Sequence, residues 1–307
     1  MRELVFGVYF CFKNHDKNPK IMNSMKKITV LLLLFVGISA ISQTDSYKMM
    51  TYNIRYDNPG DGENTWSKRK AFLSDQIAYN EPDIFGIQEG LYHQVQYLDS
   101  VFVDYAYLGV GRDDGKAKGE FSALFYNKQK LKVIKEGTFW LSETPDQISV
   151  GWDAAMERIC TYGLFENKTN KARFWVFNTH FDHIGDVARV KSAILILEKI
   201  AEFNTNNLPV IVMGDFNLTP ETEPIQLLSE VLNDSKQASL AKPFGPSGTF
   251  NAFEFNKPVL DRIDYIFTSK NQVEVLKYAV LSDSKDCKYP SDHLPVIVEL
   301  KLRPARF

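Results

Sequence analysis

From residue 43 onward the chain alternates between two apolar periodicities. Strand-like alternation or short continuous apolar runs fall at 47–55, 83–88, 105–110, 120–126, 130–134, 137–142, 160–166, 173–180, 208–213, 260–267, 273–281 and 294–301. Helical periodicity predicts 67–80, 91–99, 186–203 and 222–230, the longest of these carrying Val187, Val190, Ala193, Ile194, Leu197, Ile200 and Ala201 at helical spacing. About a dozen strands with few helices predict an α/β fold of two sheets packed face to face with helices outside. No Pro/Gly/Ser-rich linker, internal repeat or low-complexity tract interrupts the pattern, so 43–307 reads as a single domain.

Six of the apolar runs begin or end in a polar motif. Asn53 follows Met49-Met50-Thr51-Tyr52, and Glu89 follows the run 83–88. Asn178-Thr179-His180 closes a run opened by Phe174-Trp175-Val176-Phe177, and Gly214-Asp215-Phe216-Asn217 follows Leu208 to Met213. Arg262-Ile263-Asp264 enters Tyr265-Ile266-Phe267, and Ser291-Asp292-His293 precedes Leu294 to Leu300. Carboxylates, amides and imidazoles gathered from strand ends suit a hard divalent cation and a phosphate ester. Each motif alone has a plainer reading: a strand-end glutamate is ordinarily solvated, and Gly-Asp-x-Asn also makes an Asx-capped turn.

Upstream, Lys26-Lys27, the apolar run Ile28 to Ile38 and the small residues Ser39, Ala40 and Ser42 form the pattern of a secretory signal peptide. The run is too short for a stable membrane anchor. Residues 1–21 are therefore expected to be an upstream start-site artefact, 22–42 the signal peptide, and the protein an exported monomer, periplasmic or extracellular. The first 42 residues hold six of the 36 Lys and Arg and two of the 38 Asp and Glu, leaving 30 basic against 36 acidic side chains in 43–307. That balance disfavours a non-specific nucleic-acid binder, and Lys68-Arg69-Lys70 and Lys116 to Lys118 are short enough to be solvated faces. Cys160 and Cys287 exclude a disulfide-dense scaffold, although an oxidising compartment permits one bridge.

Taken together and in order, these motifs resemble the endonuclease/exonuclease/phosphatase superfamily, to which deoxyribonuclease I, inositol polyphosphate 5-phosphatases and nocturnin-type deadenylases belong. The resemblance spans 47 to 301 and implies a four-layered α/β sandwich cleaving phosphate esters with Mg²⁺ or Mn²⁺ and an activated water. It makes Glu89 the metal-binding glutamate, with Asn53 and Asp292 at the same metal. Asp264 and His293 match an orienting carboxylate and imidazole, Asp215 and Asn217 the residues handling the attacking water and a phosphate oxygen, and His180 a contact to the scissile phosphate. The stretch from Gly137 to Pro145, with Gly151-Trp152-Asp153 and Arg158-Ile159-Cys160, is similar to a bacterial branch of metal-dependent phosphohydrolases. There Arg158 is a candidate phosphate clamp, and Tyr126 sits where relatives place a phosphate-contacting tyrosine. Glu120 reads either as a loop turn or as a second carboxylate near the metal. The expected substrate is a small phosphate ester such as a sugar phosphate; a secreted nuclease and a catalytically silent binding protein on the same fold are the alternatives.

Overall fold

In the computed structural model, residues 46–303 are described. The boundaries expected at 21 and 42, and the signal peptide between them, lie outside the described residues. One six-stranded sheet has the order β11-β12-β1-β2-β4-β3, built from Val273–Val280, Val296–Leu302, Ser46–Asn53, Ile84–Gln88, Leu124–Asn127 and Tyr105–Leu108. The second has the order β5-β6-β7-β8-β10-β9, built from Leu131–Trp140, Ile159–Asn167, Arg173–His180, Val210–Asp215, Asp264–Ser269 and Leu232–Asp234. Helices α1 (Trp66–Asn80) and α2 (Tyr92–Val101) cover the first sheet, while α3 (Asp186–Phe203) and α4 (Glu223–Val231) cover the second. A short α5, Ser235–Ala238, follows β9.

Three apolar layers account for this arrangement. Met49, Ile84 and Val298 of the first sheet meet Phe174, Val176, Ile211 and Met213 of the second in the central layer. The opposite face of the first sheet buries Met50, Tyr52 and Phe85 against Leu73 and Ile77 of α1 and Val95 and Leu98 of α2. That of the second buries Phe177, Val212 and Phe267 against Ala193 and Ile196 of α3 and Ile225 and Leu228 of α4. Strands covered on both faces read as nearly continuous apolar runs, which is why 208–213 and 174–177 are so uniformly hydrophobic.

Several elements depart from the sequence pattern. The runs 130–134 and 137–142 are one strand, β5, kinked by a register shift between Val133 and Lys135, where a bulge breaks the alternation. In 120–126 only the end joins a ladder, and Phe121 makes isolated bridges to Gly90 and Gly111. On α3 the buried stripe is Ala188, Ser192, Ala193 and Ile196, and Val187 is half exposed. Cys160 is buried and Cys287 exposed, each a free thiol, so the bridge is not formed.

A buried polar seam joins the sheets near the site. Asn178 of β7 donates through Nδ2 to the carbonyls of Ile87 and Ala123, both at 2.9 Å, and its Oδ1 accepts from Gln88 Nε2 at 2.7 Å. Gln88 Nε2 also reaches Thr51 Oγ1 at 3.0 Å. Gly86 makes room for the amide, since a Cβ there would stand 2.6 Å from Asn178 Cγ and Oδ1. Asn178→Ala strands these buried groups and is expected to cost about 3 kcal/mol in urea unfolding, with Gly86→Ala costing about 2 kcal/mol by collision. A loss below about 0.5 kcal/mol in both variants would show that the seam does not tie the sheets.

Candidate active site

Strand direction explains why the motifs converge. Strand β8 is parallel to β7 and antiparallel to β10, so the ends of β7 and β8 and the start of β10 share one edge. His180 lies opposite Asp215 and Asp215 opposite Asp264, three consecutive positions on one rung whose side chains leave the same face. In the first sheet β1 runs parallel to β2 and antiparallel to β12, which delivers Asn53, Glu89 and the Ser291-Asp292-His293 turn to the same edge. The chain leaves these strands through left-handed residues, Arg55 (φ 55°), Glu89 (φ 61°) and Asn217 (φ 52°), a strain typical of functional turns. Gly214 precedes Asp215 with φ 151°, where a Cβ would meet the Thr179 carbonyl oxygen at 2.0 Å.

Asp215 is the hub. Its Oδ2 accepts from Asn53 Nδ2 at 2.9 Å, and its Oδ1 accepts from the Asn217 backbone N–H at 2.9 Å. Asn53 Nδ2 also donates to Glu89 Oε1 at 3.0 Å, so one amide holds two carboxylates, while its own Oδ1 accepts from the Arg55 N–H. His180 Nε2 and His293 Nε2 stand 3.5 and 3.8 Å from Asp215 Oδ2. Behind His293, Asp264 Oδ2 is 2.9 Å from Nδ1 and fixes the ring. Phe250 sets its ring edge against His293, centroids 5.0 Å apart. From α1, the buried Arg69 donates to the carbonyls of Ile54, Arg55 and Pro290 and pins the two loops that carry Asn53 and Asp292.

The electrostatics divide the two imidazoles. Burial alone favours neutral His293, yet the carboxylates of Asp264 and Asp215 outweigh it and hold the ring well above the usual histidine range. Burial and the guanidiniums of Arg158 and Arg112 drive His180 well below it. Burial, with Asp264 nearby, pushes the Asp215 carboxyl up to about 7. Burial also raises Asp292 and Glu120.

Glu89, Asp215 and His293 offer ligand atoms within 4.8 Å of one another, a group able to hold a metal ion. The two carboxylates are oxygen donors that suit Mg²⁺ or Mn²⁺, and the imidazole would join them only when deprotonated at Nε2. Glu89 is common to this group and to the expected Asn53, Glu89 and Asp292. Asn53 braces the carboxylates, and Asp292 lies beside Arg55 Nη1 at 3.7 Å, its Oδ1 accepting from Ser291 Oγ. Arg158 is buried beside His180, its Nε 3.4 Å from Asp182 Oδ2 and its Nη2 3.0 Å from His183 Nδ1. Asp153 caps α3, accepting from the N–H groups of Val187 and Ala188.

Tyr126 is a correction. It pairs with Ile84 at the start of β2, the end remote from Glu89, and its ring packs on Phe165. Because β4 runs antiparallel to β2, the residues before that strand approach the site instead. Glu120 is among them, clamped by Arg112 through two bonds of 2.8 and 3.0 Å. Sequence reasoning missed Arg55, Arg112 and Phe250. The glycines at 109, 111, 115 and 119 were the available signal for Arg112, and nothing in the sequence marked Arg55 or Phe250.

The sequence pattern of the Endonuclease/Exonuclease/phosphatase family matches residues 50–293. A solved structure of an endonuclease/exonuclease/phosphatase family protein from Bacteroides thetaiotaomicron is 41% identical with a TM-score of 0.81, covering 84% of this chain and 98% of its own. A mannosyl-6-phosphatase from Bacteroides thetaiotaomicron VPI-5482 is likewise 41% identical, with a TM-score of 0.80 over 83% of this chain and 99% of its own. An uncharacterized protein of Acanthamoeba polyphaga mimivirus is 28% identical over 254 residues, 76% of this chain and 91% of that protein.

The shifts fix a pH signature for the metal-free protein. His293, raised above its unfolded value of 6.5, contributes stability that is complete below that pH and lost as pH rises through the folded value. Asp215, raised from 3.8 to about 7, weakens the fold progressively across that interval, so the site favours folding most at the acid end. Ring ¹⁵N NMR should find the His293 imidazolium persisting above pH 6.5 and His180 neutral below it, with Asp264→Asn returning His293 toward neutrality. The reverse order of the two rings would refute this electrostatic assignment.

Proposed function

The chain belongs to the endonuclease/exonuclease/phosphatase family and is a phosphoester-hydrolysing enzyme; from that premise we propose an exported, Mg²⁺-dependent phosphohydrolase acting on small phosphate esters such as sugar phosphates. The observation that carries the proposal is the Glu89, Asp215 and His293 group beside the buried guanidinium of Arg158. Similarity to the mannosyl-6-phosphatase over nearly all of that protein's length supports a sugar phosphate. The acidic balance of 43–307 speaks against a nucleic-acid substrate.

A divalent cation held by Glu89 and Asp215 would supply Lewis-acid polarisation of a phosphate oxygen and would acidify the attacking water. The chain's own residues do the rest. Asn53 keeps the Glu89 and Asp215 carboxylates in register. The Asp215 carboxylate stands where it would accept the proton of the attacking water. His293, oriented through Nδ1 by Asp264, directs Nε2 at the same centre, and Arg158 would donate hydrogen bonds to phosphate oxygens.

Export rests on the residue pattern of 22–42, and monomeric action without a membrane anchor belongs to the same reading. No helix among the described residues is long and apolar enough to cross a membrane. Fractionation of expressing cells should place the protein outside the cytoplasm, and deletion of 22–42 should retain it inside.

The deciding assay sets purified full-length protein against sugar phosphates, phosphodiesters, DNA and RNA, with Mg²⁺ or with EDTA. Hydrolysis confined to small esters, abolished by EDTA and reduced about 10³-fold in kcat/KM by His293→Ala, is expected. Cleavage confined to nucleic acid would establish a nuclease instead, and silence of the folded, metal-loaded protein on every ester would leave a binding role.

A further inference from the structure

We propose that Phe250 is a specificity residue for the leaving group: its exposed ring is a shelf for the C–H face of a pyranose whose phosphate lies at the Asp215 and His293 centre. The inference rests on the phosphate-ester reading above and deepens it.

The ring stands at the border between that centre and solvent. Its centroid lies 5.0 Å from that of the His293 imidazole, with the planes inclined by 62°, and His293 Nε2 is 3.8 Å from Asp215 Oδ2. His293 is buried, whereas Phe250 keeps 36% of its surface exposed. Tyr92, exposed on the helix that follows Glu89, stacks instead on Phe121. The backbone fixes the shelf. Phe250 and His293 face each other in an isolated antiparallel bridge, so their side chains leave the same face. The Thr249 and Phe250 N–H groups donate to the Asp261 carbonyl at 2.8 and 3.0 Å, and the Leu294 N–H donates to the Thr249 carbonyl at 2.7 Å. Asn251 then straps the Ser291-Asp292-His293 turn, its N–H donating to the Asp292 carbonyl at 2.7 Å and its Nδ2 to the Ser291 carbonyl at 3.1 Å. Left-handed Ala252 (φ 52°) and Phe253 (φ 60°) follow, strain of the kind that collects at ligand clamps.

The chemistry of the shelf narrows its occupant. A phenyl ring offers dispersion and an electron-rich face but no hydrogen bond, so it adds nothing for the phosphate itself. It favours a rigid apolar surface. A pyranose has one in its axial C–H groups and keeps its hydroxyls at the rim, where they stay in water. An acyclic polyol covers the ring poorly and loses rotamer freedom in doing so. A nucleobase also stacks on such a ring, but the 30 basic against 36 acidic side chains of 43–307 favour a single neutral ring over a strand of nucleotides. Because the shelf touches His293, a ring seated on it is a direct neighbour of the reacting phosphate, and its fit is read in the same encounter that positions the ester.

The test measures kcat and KM for a hexose 6-phosphate, glycerol 1-phosphate and a nucleoside 5′-monophosphate in the full-length wild type, Phe250→Ala, Phe250→Leu and Phe250→Trp, with thermal unfolding as a check on folding. Leucine keeps bulk against His293 and loses the flat face, whereas tryptophan enlarges that face. The wild type should prefer the hexose ester to the glycerol ester about tenfold or more. Phe250→Ala and Phe250→Leu should each cut that preference at least about fivefold, chiefly through KM, and Phe250→Trp should retain or raise it. Equal losses on both esters, or rescue by leucine as complete as by tryptophan, would make Phe250 a mere buttress of His293 and overturn the inference while leaving the hydrolase reading intact. A wild-type preference for the nucleotide over the hexose ester that depends on Phe250 would overturn the pyranose assignment. Failure of the folded wild type to hydrolyse any of the three esters would overturn both readings.

Discussion

Burying the Asp215 carboxylate where the two sheets meet removes a charge from water, and its neighbours are arranged to compensate for that loss. An amide from the opposite sheet and a backbone N–H each give it a hydrogen bond, and a cationic imidazole stands beside it. Because Asn53 lies on one sheet and Asp215 on the other, the same bond that solvates the carboxylate fixes how the two sheet edges face each other. The Asn178 seam repeats this logic one layer deeper. The site is consequently a condition of the packing, and a sheet slipped by one residue would strand Asp215 and Asn178 together.

The two histidines show how position alone separates their chemistry. They lie at nearly equal distances from Asp215 Oδ2, and both are buried. His293 has Asp264 at its back and is held cationic, whereas His180 faces Arg158 and Arg112 and is held neutral. In the metal-free protein one ring is thus a positive charge and the other a neutral donor at the same edge.

Much of this was legible in the sequence because strand ends carry local signals. The runs before Asn53, Glu89, His180 and Asp215 terminate at those residues, and strand direction did the gathering. What escaped has physical causes. Tyr126 was misplaced because its distance along β4 from the site depends on a start the alternation of 120–126 did not mark; only Leu124–Asn127 pairs. That Asn53 braces two carboxylates and that Asp292 stands beside Arg55 are contacts that neither periodicity nor motif spacing encodes. Arg112 lies in a loop without periodicity, where glycines announce a tight turn but not which side chain points inward.

The catalytic rung and the 109–119 loop are held by different parts of the fold. The reacting residues leave the rungs of β7, β8 and β10 and the ends of β1 and β2, positions that cannot shift without breaking ladders. The 109–119 loop closes on itself through Gly111 N–H to Lys116 and Asp113 N–H to Lys118 and leans on the second sheet through the Trp140 indole. Substitutions on the surface of such a loop leave the Asp215 hub with its bonds. A family with one hydrolytic centre can thereby present different leaving-group surfaces, since the energy that fixes the catalytic rung comes from the sheets and not from the loops around it.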